Sequence, residues 1–130
     1  MTALEITRAP PPSIPLRFLL STPIWGMVAA GWIAWHGSSV LVSRWAMPTV
    51  ALVHLFILGV LGNAMLGSLV QFLPVAAGST FASTRTLSLL HVTFNAGLAL
   101  LVTAMTLSAP TPLLVAGAVG AGRLLAFGAQ

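Results

Sequence analysis

The chain has 130 residues, of which 58% are hydrophobic and 5% charged, and it contains no Lys, Asp, Cys or Tyr. Five Arg and one Glu cannot cover the surface of a soluble domain this size, and a mean hydropathy of +1.03 excludes a disordered tail. The high pI reflects missing acids rather than a basic cluster, which argues against nucleic acid as a partner, and without Cys there is no disulfide scaffold or thiolate site.

Residues 1–15, MTALEITRAPPPSIP, hold three consecutive prolines and no apolar run. They read as a short extended arm, not a signal peptide. Residues 16–130 form the membrane domain, with four stretches near the roughly 20 apolar residues that a membrane helix needs: 16–41, 48–77, 84–108 and 112–128. Lipid offers no partners to backbone N–H and C=O, so these are expected to be helices, and the short alternating segments of a barrel are absent. The expected fold is all-α, an integral-membrane four-helix bundle with short loops.

Two stretches carry small residues at helical spacing. In the second, Gly59, Asn63, Gly67 and Gln71 recur every fourth position; in the fourth, Ala116/Gly120, Gly117/Ala121 and Ala118/Gly122 do the same. Such stripes admit close helix contact, and one bundle cannot use them all, so a homo-oligomer is expected. Four spans put both termini on one side with Arg8, Arg17, Arg85 and Arg123, against Arg44 alone on the other. The excess of arginine makes the termini cytoplasmic.

No acidic residue lies within a span, and no nucleophile triad, phosphate loop or metal-ligand spacing is present, so no catalytic set is identified. Three histidines remain, His36, His54 and His91, and all fall in expected helices. Ionisable residues are costly in a membrane, so they are the candidate metal ligands. His54 lies six residues past Pro48, roughly 9 Å from that end, and His36 sits at a comparable expected depth. His91 falls in the opposite half, where it joins Asn95, Ser88, Thr84 and Gln71 as a structural network, a second haem ligand or a quinone site.

On a regular helical wheel His54 heads an apolar wall of Leu58, Leu61, Met65 and Phe72, and His36 heads one of Trp32, Ala29 and Trp25. Two imidazoles between flat apolar walls suit a b-type haem, with His54 and His36 as axial ligands and Met65 and Trp32 against the ring. A soft copper site would want Cys or clustered Met.

The stretch from His54 through LFILGVLGNAMLGSLVQFL to Pro74 resembles the second helix of subunit I of the haem-copper oxidases, nearest the nitric oxide reductase branch. It is also similar to the NnrS-type haem proteins of denitrifying bacteria. The resemblance implies haem b at His54 and a place in the bacterial inner (cytoplasmic) membrane. It further implies electron transfer or nitric oxide/oxygen binding in respiration or denitrification, with a quinol or another respiratory donor. Twelve-helix subunits of that family are built from three four-helix units, which implies that this chain forms a homotrimer. The copper-site histidine motifs of the family have no counterpart here, so the expectation is a cytochrome-like carrier rather than an enzyme. Two alternatives stay open: a non-haem structural or assembly protein, and a metal-ion carrier.

Overall fold

The computed structural model describes residues 10–77 and 83–107. They form three membrane-length apolar helical rods, and no strand occurs among the described residues. The first rod is α1 (Ser13–His36), continued by a short 3-10 segment (Gly37–Leu41). It begins three residues before the expected position 16. Pro15 does not prevent this, because first-turn residues have no intrahelical acceptor for their N–H.

The second rod is one continuous column in three parts: α2 (Met47–His54), a π-helical segment (Leu55–Gly62) and α3 (Asn63–Ala77). The third is α4 (Thr84–Thr106), whose N-cap Ser83 accepts a hydrogen bond from the Thr86 N–H at 3.2 Å. The first nine residues of the expected arm, the expected fourth span at 112–128, Arg8 and Arg123 lie outside the described residues.

Side-chain pairs fix the register. Arg17, Ser21 and Trp25 of α1 bond to Ser88, His91 and Asn95 of α4, so these two helices run parallel with a constant offset of 70 or 71 residues. The second rod runs antiparallel between them. Its Gly59 meets Trp25, and its Gly67 meets Phe18 and Leu19. A Cβ added at Gly59 would lie 2.8 Å from Trp25 Cβ, so only glycine permits this approach. Gly62, in the same π segment, receives the Phe94 ring in the same way, with Cζ 3.0 Å from a built Cβ.

The stripe is therefore used within the chain: the first rod fills Gly59 and Gly67 and Asn95 of the third bonds Asn63, while Gln71 stays exposed. Arg17 and Arg85 share one end of the bundle and Arg44 sits at the other. Two apolar clusters divide the interior. Ile14, Phe18, Val70, Leu87 and Leu90 pack near the Arg17 end. Ala29, Leu55, Leu98 and Val102 pack toward the Arg44 end, flanked by Trp25, Trp32, Leu52 and Leu58.

Candidate functional site

Between the two clusters runs a belt of polar side chains. Trp25 Nε1 donates to Asn95 Oδ1 at 2.6 Å. Asn63 and Asn95 exchange reciprocal amide bonds, each 3.1 Å. The remaining amide protons go to backbone: Asn63 Nδ2 donates to the Gly59 carbonyl and Asn95 Nδ2 to the His91 carbonyl, both at 2.9 Å. Every donor of both asparagines is spent, so Asn63 can be fully buried, at 0% exposure, without an orphaned polar atom. Asn63 also closes the π segment, giving the last stretch of widened helix a side-chain donor at Gly59. Three rods meet in this one hydrogen-bonded unit.

One turn toward the Arg17 end, His91 Nε2 lies 2.9 Å from Ser21 Oγ, and Ser21 Oγ lies 2.9 Å from the Arg17 carbonyl. A carbonyl can only accept, so the single Ser21 hydroxyl proton is committed to it. His91 Nε2–H must therefore donate to Ser21, which fixes the His91 tautomer. Phe18 meets the same ring edge-on, with centroids 4.9 Å apart and planes at 84°. The other polar residues expected beside His91 do not gather as a group: Asn95 is committed to the belt, Ser88 accepts from Arg17, and Gln71 and Thr84 face outward.

The histidines of the Arg44 half have a different surrounding. His54 Nδ1 lies 2.8 Å from the carbonyl of Val50, one turn back on its own helix. The carbonyl accepts, so Nδ1 carries the proton, and Nε2 keeps its lone pair with no hydrogen bond among the described residues. That is the tautomer in which a histidine presents Nε2 to a metal while a carbonyl orients the ring. His36, at the last residue of α1, lies against Trp32 with ring centroids 4.5 Å apart and planes at 41°. Trp32 is itself pinned, its Nε1 donating to the Pro48 carbonyl at 2.9 Å.

Of the wall expected below His54, only Leu58 packs with Ala29, Trp25 and Trp32. Ala29, Trp25 and Trp32 line the bundle interior, whereas Met65 and Phe72 point outward, at 64% and 66% exposure. The wheel that aligned them assumes 3.6 residues per turn, and the π segment after His54 is wound more widely. Depth also differs from expectation. The contact of Gly59 with Trp25, and of Leu55 with Ala29 in one cluster, sets His54 level with Ala29 or Ala30. His36 lies about six residues farther along α1, roughly 9 Å beyond at 1.5 Å per residue. No ring contact or hydrogen bond joins His36 to His54, and no three-member His or carboxylate group for a metal ion occurs among the described residues.

Comparison with known proteins gives no matching family, no matching curated protein and no matching solved structure.

Proposed function

We propose that this membrane protein holds a b-type haem at His54 and serves as an electron carrier, or as a small-gas binder where one axial position stays open. The observation that carries this reading is the His54 ring itself: half-buried, with Nδ1–H bound to Val50 and the Nε2 lone pair unspent. Bound there, the haem would supply a one-electron iron couple. The chain's part is to donate the Nε2 electron pair, to fix the ring through the Val50 carbonyl, and to surround the site with apolar side chains. His36 of the same or a neighbouring copy would supply the second ligand, and the proposal includes association of copies, as the trimer suggested by the oxidase resemblance. The proposed setting is the bacterial inner membrane, with the Arg17 end cytoplasmic and a quinol or respiratory protein as donor. Arg17 and Arg85 against Arg44 support that orientation.

His54→Ala tests this directly. The purified wild type is expected to give sharp reduced-minus-oxidised bands of a low-spin haem, and the variant to lose them while keeping its helical circular dichroism. His36→Ala is expected to leave a five-coordinate haem that binds carbon monoxide. A colourless wild type, or full haem occupancy in His54→Ala, overturns the assignment.

A second reading is carried by the belt of Trp25, Asn63 and Asn95. A closed amide network costs little when satisfied and enforces one register, which suits a structural or assembly protein without a cofactor. A colourless protein whose association partner persists through purification would favour it. For the metal-ion carrier, no group of three or more His, Cys, Asp or Glu occurs among the described residues, and a site there would rest on His with Met.

A further inference from the structure

The four most outward-facing large apolar side chains of the described chain are Trp35 (87%), Leu41 (85%), Val42 (79%) and Trp45 (77%), and all fall within one eleven-residue stretch. This stretch is not loose. Gly37, at φ +55°, turns the chain out of α1 in a conformation that disfavours side chains. Ser39 Oγ donates to the His36 carbonyl at 2.7 Å, and Thr49 Oγ1 donates to the Val40 carbonyl at 2.7 Å. Val40 is buried, and the Ala46 N–H donates to the Ser43 carbonyl at 3.0 Å. A hydrogen-bonded platform thus presents two indoles and two aliphatic side chains outward. Beside them Arg44, the one charged residue between Arg17 and Arg85, places its guanidinium 5.3 Å from the Trp45 ring centroid. Among the described residues the opposite end has no tryptophan and no comparably exposed set: Leu16, Leu20 and Phe72 face out there at 50%, 55% and 66%, and Phe18 is buried.

We propose that the segment from Trp35 to Trp45 is a membrane-interface plate, seated in the phospholipid headgroup layer at the Arg44 end with Arg44 on lipid phosphate. The chemistry fits that layer specifically. Indole rings favour the boundary between hydrocarbon and headgroups, where ring and N–H are both accommodated. A single guanidinium stacked on an indole meets a phosphate without being drawn into hydrocarbon. Position argues the same way, because the plate joins the ends of two membrane-length rods and so falls at the boundary when they span.

The test uses the full chain in phosphatidylcholine vesicles whose acyl chains are brominated near the headgroup or near the bilayer centre. Subtracting the emission of Trp35→Phe/Trp45→Phe isolates the plate's fluorescence; both positions face outward, and circular dichroism checks the fold. The expected result is loss of that fluorescence in shallow-brominated lipid, its retention in deep-brominated lipid, and little quenching by aqueous acrylamide. Strong acrylamide quenching with no lipid quenching overturns the proposal by placing the segment in water. Protection from both quenchers overturns it in favour of a protein cover, such as a second copy. Adding phosphatidylglycerol is expected to strengthen shallow quenching in wild type but not in Arg44→Gln; an equal response in both overturns the phosphate contact. Each comparison is made between brominated and unbrominated lipid on the same preparation, so any quenching by haem is common to both and the two proposals stand or fall separately.

Discussion

The Arg17 half and the Arg44 half of the bundle treat their histidines in opposite ways. In the Arg17 half His91 spends Nε2 on another helix, through Ser21, and the belt above it ties three rods together with side-chain bonds. In the Arg44 half His54 bonds only to its own helix, and His36 stacks only on a residue of its own helix. The cross-helix bond of His91 helps hold the fold, whereas the local contacts of His54 leave its Nε2 without a hydrogen bond among the described residues. The same histidine chemistry thus serves cohesion in one half and is spare in the other.

The largest test of this contrast is Asn63→Leu. It strips Asn95 of both reciprocal bonds and leaves one N–H of that half-buried amide without an acceptor, while its bonds to Trp25 and the His91 carbonyl remain; an orphaned group costs about 1–3 kcal/mol. Unfolding in mixed detergent should show it, and Trp25→Phe/Asn63→Leu/Asn95→Leu should recover part of the loss because the indole N–H is then removed together with its acceptor and no orphan remains. Next in size is Gly59→Ala, whose added methyl meets Trp25 at the base of its side chain, where the ring cannot swing away. Overpacking of that kind costs roughly 1–3 kcal/mol and would show as a lower midpoint in the same assay.

His91→Phe sharpens the contrast more finely. The ring contact to Phe18 can persist while the bond to Ser21 is lost, an interhelical bond worth about 0.6 kcal/mol in a membrane. Stability should fall slightly while the optical spectrum stays unchanged, the reverse of His54→Ala. If haem content halves instead, His91 is a ligand and the division between the halves fails. Smallest of all is Gly26→Ala. A Cβ there meets nothing within 4 Å, so the unfolding free energy should stay within about 0.5 kcal/mol of wild type or rise slightly.

Much of this architecture is legible in the sequence, and the misses have physical reasons. Three rods could be read to within three residues because apolar length and polar punctuation are local properties. The stripe of Gly59, Asn63 and Gly67 was also visible, but spacing cannot say which helix meets it: the first rod fills the glycines and the third bonds Asn63. Trp25 read as wall because its ring is large and apolar; its N–H finds Asn95 seventy residues away, a pairing no local pattern encodes. The π segment was hidden for the same reason. Nothing local in LFILGVLG announces a wider turn, while the packing of Trp25 and Phe94 onto Gly59 and Gly62 is visible only in three dimensions. His54 therefore keeps its predicted half of the bundle but not the wall assumed beneath it.

The belt also has a consequence for how the chain enters a bilayer. Trp25 and Asn63 arrive with the first two rods, but their shared acceptor and partner, Asn95, arrives only with the third. An intermediate with two rods inserted carries an amide and an indole N–H whose final partner has not yet been made. Such a hairpin is expected to stay with the insertion machinery until the third rod supplies Asn95, and Asn95→Leu should change the time at which the first two rods become accessible to lipid-directed cross-linkers.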